Sequence, residues 1–359
     1  MSGTTDVVVI GAGQAGLAIS ALLGRSGVGH VVLERGAVAN SWRAERWDSL
    51  RLLTPNWMTR LPGLRYEGDD PDGFMPTDEV VDLRATFRRR SAAPVGTGGT
   101  GDSVVPRVGG FDVYAGWERW SSRAVVVATG AASTPRVPEV ASELPDHLDH
   151  LTSLTYRNPD QLADGAVLVV GASASGVQIA DELARSGREV VLSVGDHVRV
   201  PRRYRERDIH WWLDAIGALD ERIEDTSDAR RAMRSPSLQL VGGSPPRDLD
   251  TNTLSALGAG LVGRLVGVAG SHAQCAGSLP NMLTAADLKQ TRLLDRIDDH
   301  VEQHDFASEV DPPVRPEPSR LDRIATTLDL RRFTTVLWAT GYRRHTPWAA
   351  PSLVGPAAP

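Results

Sequence analysis

Two glycine-rich turns carry the residues with the clearest chemistry in this sequence. The first turn, Gly11-Ala12-Gly13-Gln14-Ala15-Gly16, follows an apolar run and precedes an amphipathic stretch. A G-x-G-x-x-G turn between a strand and a helix presents backbone N–H groups and a helix N-terminus to a diphosphate. A carboxylate at the end of the next strand accepts hydrogen bonds from a ribose diol. The predicted dinucleotide site consists of Gly11, Gly13, Gln14, Ala15, Gly16, Glu34 and Arg35.

The same pattern recurs in the middle of the chain. The apolar run 167–170 leads into Gly171-Ala172-Ser173-Ala174-Ser175-Gly176, and a helical pattern and a second apolar run follow. Two such units imply two bound nucleotides; a duplicated unit with one inactive site is the alternative. Serine replaces the middle glycine, so its side chain either limits the approach of the phosphates or bonds to one of them. The residues assigned to this site are Gly171, Ser173, Ala174, Ser175 and Gly176.

The two units differ at the end of their second strands, where Glu34 of the first unit aligns with Ser193 of the second. A carboxylate suits a free 2′-hydroxyl and repels a 2′-phosphate, whereas serine removes that repulsion. Arginines follow Ser193 and suit a phosphate, although Asp196 opposes this assignment. We therefore expect FAD at the first unit and NADPH at the second. The residues expected near the 2′-phosphate are Ser193, Arg199, Arg202 and Arg203.

Composition sets the class of protein and its partners. With 359 residues, of which 41% are hydrophobic and 23% charged, the chain is typical of a soluble globular protein of two domains. A net charge of −6 gives no general attraction to nucleic acid or anionic membranes. The single cysteine excludes an intramolecular disulfide, and the nine histidines show no metal-binding spacing.

The N-terminus and the apolar runs bear on the compartment. The first strand starts near Asp6, which leaves no room for a signal peptide, and no apolar run approaches the ~20 residues of a membrane span. We expect a cytoplasmic protein with no nucleic-acid partner and no stable membrane association. A homodimer is an open alternative to a monomer.

The order of the patterns predicts an α/β fold with two Rossmann-like dinucleotide-binding domains, the second inserted in the first. We expect residues 1–160 and 321–359 to form the FAD-binding domain. Residues 161–320 would form the NAD(P)H-binding domain, with a helical insertion at about 201–300. The last strand, Thr334–Trp338, is expected to return to the first domain.

Together these motifs resemble those of class B flavin-containing monooxygenases, over nearly the whole chain. Besides the two turns, the resemblance is carried by Ser41-Trp42-Arg43, the run 46–52, Thr54-Pro55-Asn56-Trp57, and the Ala-Thr-Gly turns at 128–130 and 339–341. It implies a monooxygenase that uses FAD, NADPH and O₂. A C4a-hydroperoxyflavin would transfer one oxygen atom to a small organic substrate by N-, S- or Baeyer–Villiger oxidation. The alternatives are an NAD(P)H-dependent flavin oxidoreductase without oxygenation and a catalytically impaired nucleotide-binding protein.

The resemblance also assigns residues around the flavin. The candidate catalytic residue is Asn56, whose amide would hydrogen-bond the flavin N5 or the peroxide region. Thr54 is the competing candidate, and a structural role as a turn residue after Pro55 is the alternative for Asn56. Trp42 and Trp47 would stack near the isoalloxazine or pack within their loop, and Arg43 would contact an FAD phosphate or solvent. Further predicted cofactor contacts are Leu52, Thr129, Gly130, Thr340 and Gly341.

The resemblance predicts one departure from the family at the C-terminal end. Relatives continue for several dozen residues after Gly341-Tyr342, with a strand and a helix that face the flavin diphosphate. This sequence ends at Pro359 in a tail rich in proline and alanine. We therefore expect the usual C-terminal segment, and with it a sheet edge and one wall of the FAD site, to be absent.

Overall fold

The structure is a computed structural model that describes residues 2–99, 101–304, 306–343, 346–350 and 353. Its α-helices are α1 (Gln14–Arg25), α2 (Asn40–Ala44), α3 (Thr77–Arg90), α4 (Ala174–Arg185), α5 (Ile209–Ala215), α6 (Ala229–Met233), α7 (Thr251–Ala256) and α8 (Leu279–Gln303). Its strands are β1 (Ser2–Ile10), β2 (His30–Glu34), β3 (Arg60–Leu61), β4 (Leu64–Arg65), β5 (Val95–Thr97), β6 (Gly101–Arg107), β7 (Gly110–Ala115), β8 (Glu118–Val127), β9 (Thr134–Pro135), β10 (Asp149–Thr152), β11 (Ala166–Val170), β12 (Val190–Val194), β13 (Val198–Arg199), β14 (Arg203–Tyr204), β15 (Arg207–Asp208), β16 (Leu238–Gln239), β17 (Gly260–Gly263), β18 (Leu265–Ala269), β19 (His272–Cys275), β20 (Thr327–Asp329), β21 (Phe333–Trp338) and β22 (Tyr342–Arg343).

The first sheet has the strand order β5-β2-β1-β8-β7-β6. Strand β1 pairs in parallel with β2 and β8, and β6 and β7 add an antiparallel hairpin. Because side chains alternate across a strand, Val7 and Val9 face α1 and α3, whereas Val8 and Ile10 face the hairpin. The two faces therefore form two separate apolar clusters.

The second sheet is parallel throughout, in the order β10-β21-β11-β12-β17. Its strands β11 and β12 are buried along their whole length, as expected for a parallel sheet covered on both faces. The α/β class predicted from the sequence is confirmed. The segment 201–300 is only partly helical, because it also supplies β17, which pairs with β12.

The position of the last strand differs from the prediction. Strand β21 lies between β10 and β11 in the second sheet and does not return to the first. It is the counterpart of β8, because each of these strands pairs in parallel with the strand that enters a glycine-rich turn. The apolar pattern of β21 suits either sheet, and only its pairing distinguishes them.

Beyond β21 the chain crosses to the first sheet. Strand β22 pairs with β9, and the Trp348 carbonyl accepts a hydrogen bond from Val104 N of β6 at 2.8 Å. Strand β8 pairs with β7 only as far as Ser122, so within the described ranges its segment 123–127 has one unpaired edge, and Val127 is 53% exposed. Most of the predicted proline- and alanine-rich tail, residues 351–352 and 354–359, lies outside the described residues.

Across the residues that the structure describes, we find no helix with the length and apolar character needed to cross a bilayer.

Candidate functional site

The first glycine-rich turn has the geometry that brings a helix N-terminus close to a strand end. Gly11 has a φ of +107°, and its N–H donates to the Leu33 carbonyl at 2.7 Å. A Cβ added at Gly16 would lie 1.8 Å from the Gly11 oxygen, so only glycine allows α1 to pack this closely. A Cβ added at Gly13 would meet no described atom within 4 Å. Position 13 therefore borders open space beside the N-terminus of α1.

Glu34 is fixed to this turn by backbone donors. Its Oε2 accepts a hydrogen bond from Ala12 N at 2.7 Å, and its Oε1 accepts one from Gly36 N at 3.1 Å. The side chain is buried and oriented, yet each carboxylate oxygen has further acceptor capacity. The carboxylate can therefore receive the hydroxyls of a ribose without losing its own support.

The second turn repeats this geometry closely. Gly171 has a φ of +111°, and a Cβ at Gly176 would lie 1.8 Å from the Gly171 oxygen. Ser173 has φ and ψ of −80° and −176°, against −79° and −169° for Gly13. One difference is that Ala174 N at the start of α4 donates to Ser237 Oγ at 3.3 Å.

Both turns are closed by an alanine that follows a parallel strand. Ala128 N donates to the Ile10 carbonyl and Ala339 N donates to the Val170 carbonyl, each at 2.8 Å. A Cβ at Gly11 would meet the Ala128 oxygen at 2.5 Å, and one at Gly171 would meet the Ala339 oxygen at 2.4 Å. The predicted contact residues Thr129, Gly130, Thr340 and Gly341 follow these alanines directly, at the same place in each unit.

The residues predicted around a 2′-phosphate have other partners. Ser193 Oγ is buried, donates to the Gly263 carbonyl and accepts from Leu265 N. Arg199 is 3% exposed and pairs with two aspartates. Arg202 is 1% exposed and pairs with Asp208. Arg203 is exposed and pairs with Glu206. For Ser193, Arg199 and Arg202, buried strand and loop contacts occupy the groups that a phosphate would need, whereas the assignment of Arg203 stays a prediction.

A different set of cations lies near the end of β12. A cavity of about 450 Å³ is lined by three basic side chains, two acidic ones, and the segment that precedes Ser237. The only lysine of the chain is among them and donates from Nζ to Asp196 Oδ1 at 2.6 Å. The lining residues are Asp196, Asp228, Arg230, Arg234, Ser235, Pro236 and Lys289.

The loop residues predicted near the flavin are placed as follows. Asn56 is 4% exposed; its Oδ1 accepts from Met75 N at 3.0 Å, and its Nδ2 donates to the Asp70 carbonyl at 2.9 Å. Its amide thus links two loop segments that are distant in sequence, and one of its two N–H donors is engaged by backbone. Thr54 is half-buried, and Leu52 N donates to the Met75 carbonyl.

The aromatic and basic loop residues separate into two groups. Trp47 is buried in the apolar cluster of the second sheet, so its ring packs between the two units. Trp42 is half-buried and lies under the guanidinium groups of Arg46 and Arg84, at 5.6 and 5.2 Å from its ring centroid. Arg35 forms an ion pair with Glu45, and the exposed Arg43 donates to the Val38 carbonyl.

The structure also shows a buried residue that the sequence analysis missed. Arg84 on α3 is 7% exposed, and its Nη2 donates to Gln14 Oε1 at the start of α1. A signal was present in the sequence, because Val80, Arg84 and Phe87 share one helix face and two of the three are apolar.

The single cysteine, Cys275, is buried, and burial raises its pKa to about 11, so its thiol is protonated at neutral pH.

Comparisons with known proteins agree with this geometry. Residues 8–216 match the family model described as pyridine nucleotide-disulphide oxidoreductase. An uncharacterized oxidoreductase CzcO-like of Geobacillus kaustophilus is 36% identical over 228 residues, which are 63% of this chain and 65% of the relative. Indole-3-pyruvate monooxygenase YUCCA4 of Oryza sativa subsp. japonica is 33% identical over 291 residues, 70% of this chain and 65% of the relative. The matches thus span less than two thirds of these curated relatives.

The fold has solved counterparts. A flavin-containing monooxygenase from Stenotrophomonas maltophilia superposes with a TM-score of 0.62 at 20% identity, and the match covers 96% of this chain and 81% of that one. The family model covers more than half of the chain and includes both glycine-rich turns. The chain therefore belongs to the pyridine nucleotide-disulphide oxidoreductase family, and its fold is similar to that of flavin-containing monooxygenases.

Proposed function

We propose that this chain is an FAD-dependent, NADPH-consuming monooxygenase that inserts one oxygen atom from O₂ into a small organic substrate. The observation that carries the proposal is the pair of equivalent turns, of which only the first has a carboxylate fixed beside it. The monooxygenase names of several relatives support the reaction class. The substrate would determine whether the oxidation is an N-, S- or Baeyer–Villiger oxidation.

The residues present fit these cofactors. At the first turn, Glu34 would hold the ribose of FAD, and the open space beside Gly13 would admit the diphosphate. Gly171–Gly176 would hold the NADPH diphosphate against the N-terminus of α4, and Ser237 would compete for the N–H of Ala174. When bound, the flavin supplies hydride acceptance from the nicotinamide and the activation of O₂. The packing of Trp47 between the units would help to exclude water.

An isotope experiment tests the reaction. The purified chain, loaded with FAD, is incubated with NADPH, ¹⁸O₂ and separate probes that carry a thioether, a tertiary amine or a cyclic ketone. We expect at least one probe to gain one ¹⁸O atom per NADPH consumed. Stoichiometric hydrogen peroxide with no oxygenated probe would instead favour a flavin oxidoreductase.

Replacing Glu34 should weaken FAD binding. Glu34→Ala removes the ribose acceptor, and we expect a loss of about 1–3 kcal/mol in FAD binding free energy, because hydrogen bonds to a charged group are lost. The measurement is the dissociation constant of FAD by flavin fluorescence. Glu34→Gln keeps one acceptor for Ala12 N and should lose less, and the exposed Glu206→Ala is the control. Unchanged FAD affinity in Glu34→Ala would contradict the assignment of the first site.

The arginines that line the basic cavity should determine the preference of the chain for NADPH over NADH. In the double variant Arg230→Ala with Arg234→Ala, we expect the dissociation constant of NADPH to rise about tenfold, because charge-assisted bonds to the 2′-phosphate are lost. NADH binding should not change, since NADH has no 2′-phosphate. Arg203→Ala serves as a control outside the cavity. Equal weakening of both dinucleotides would exclude a 2′-phosphate contact by these arginines.

A further inference from the structure

Arg84 is a buried cation whose partners are all neutral. Its Nη1 donates to the Val80 carbonyl at 3.0 Å, its Nη2 donates to Gln14 Oε1 at 2.9 Å, and its guanidinium lies 5.2 Å from the ring centroid of Trp42. Its Nε is buried without a hydrogen-bond partner, and no carboxylate in the described part of the chain forms an ion pair with it.

Such a charge is expensive to bury. Removing an ion from water costs several kcal/mol unless an opposite charge offsets the loss of hydration. Arg199 and Arg202 are even more deeply buried, but each has a carboxylate within 2.8 Å. For Arg84, burial lowers the pKa to about 10, and no acidic group raises it again. The side chain therefore remains charged at neutral pH without compensation from the protein.

The position of Arg84 indicates what the missing counter-charge is. Gln14 is the first residue of α1 and directly follows Gly13, beside the open space at the first turn. The N-terminus of a 12-residue helix carries a partial positive charge and unpaired N–H groups. The buried guanidinium, which donates to the side chain of Gln14, adds a full positive charge near the start of this helix. Two positive groups near the first turn favour an anion bound there.

We propose that Arg84 is the counter-ion for the diphosphate of the dinucleotide bound at the first turn. This inference rests on the proposed function, because it takes the dinucleotide at Gly11–Gly16 as its ligand. The anion neutralises the positive charge at the start of α1, and the ring of Trp42 on α2 lies against the guanidinium. The free chain consequently holds an unfavourable charge that binding of the diphosphate neutralises.

The proposal predicts effects of opposite sign in one variant. Arg84→Met keeps most of the side-chain volume and removes the charge, so the ligand-free chain should melt at a higher temperature than the wild type. The same variant should bind ADP and FAD at least about tenfold more weakly, because charge-assisted bonds to phosphate are lost. Adenosine, which has no phosphate, should bind both chains equally. Arg90→Met, an exposed position on the same helix, is the matched control and should change neither quantity.

Calorimetric titration with ADP, adenosine and inorganic pyrophosphate, together with thermal melts, separates the outcomes. A lower melting temperature for Arg84→Met with unchanged ADP affinity would overturn the proposal and make Arg84 a packing residue. If Arg84→Met does not fold, Arg84→Lys is the second variant, because it keeps the charge with fewer hydrogen-bond donors. Its affinity for ADP should be lower than that of the wild type but still measurable. Wild-type ADP affinity in Arg84→Lys, together with an unchanged melting temperature on addition of pyrophosphate, would overturn the proposal. Wild-type binding of ADP and pyrophosphate but not of FAD would contradict the proposed function while supporting the role of Arg84.

Discussion

Arg202→Met is expected to destabilise the chain by about 3–5 kcal/mol, because it removes one partner of a buried ion pair and leaves Asp208 uncompensated. Arg202 Nη2 donates to Asp208 Oδ1 at 2.6 Å, and Nη1 donates to the Leu53 carbonyl at 2.8 Å. The guanidinium also lies 4.6 Å from the ring centroid of Phe74. Arg202 therefore connects the loop of the first unit that contains Leu53 to the second unit. Its loss should destabilise both this loop and the second unit.

The neighbouring Arg203 provides a matched control. Its side chain is exposed and pairs with the exposed Glu206, so Arg203→Met should cost no more than about 1 kcal/mol. The free energy of unfolding of both variants is measured by urea denaturation. A small loss in both variants, with weaker NADPH binding in Arg202→Met, would contradict this account and return Arg202 to the predicted phosphate site.

Substitution of the two glycines that allow close helix packing, Gly16 and Gly176, should weaken the binding of different cofactors. Gly16→Ala forces a Cβ to within 1.8 Å of the Gly11 oxygen, and Gly176→Ala does the same at the Gly171 oxygen. Each helix must move away from its strand, which costs about 1–3 kcal/mol of stability and disrupts the N–H groups that face a diphosphate. We expect Gly16→Ala to lose FAD and keep NADPH binding, and Gly176→Ala to do the reverse.

Gly13→Ser separates folding from binding at the first turn. A side chain there meets no described atom within 4 Å, and Ser173 has the same backbone conformation in the second unit. The variant should therefore melt like the wild type while its FAD occupancy falls. The amount of FAD per chain is read from the visible spectrum, and the NADPH affinity is measured by calorimetry.

The same spectrum checks the variant Gly16→Ala. Full FAD occupancy in Gly16→Ala would argue against a dinucleotide at the first turn.

Local sequence patterns predicted the parts of this protein that depend on neighbouring residues. Apolar runs, glycine spacing and the acid at position 34 were sufficient for both turns, because strand, turn and helix are adjacent in the chain. The sequence also contained a signal for the position of β21. Ala-Thr-Gly follows both β8 and β21, and Ala128 and Ala339 contact equivalent glycine-rich turns. The prediction missed it because an apolar strand suits either sheet equally.

Contacts between distant residues could not be predicted in the same way. Arg199 and Arg202 stand where a phosphate-binding arginine is expected, yet their partners come from Asp287, Asp208 and the carbonyl of Leu53. Asn56 is used by Asp70 and Met75, which only the folded loop brings to its amide. For charged and amide groups, the fold brings partners together that lie far apart in the chain, and local sequence patterns do not identify those partners.

Anaerobic addition of NADPH to the chain loaded with FAD tests the central claim most directly, because it requires both nucleotide sites at once. We predict one FAD per chain and bleaching of the flavin absorption by one equivalent of NADPH. Gly176→Ala should keep its FAD but fail to be reduced. A wild-type chain that retains no flavin, or in which FAD and NADPH displace each other from a single site, would contradict the account.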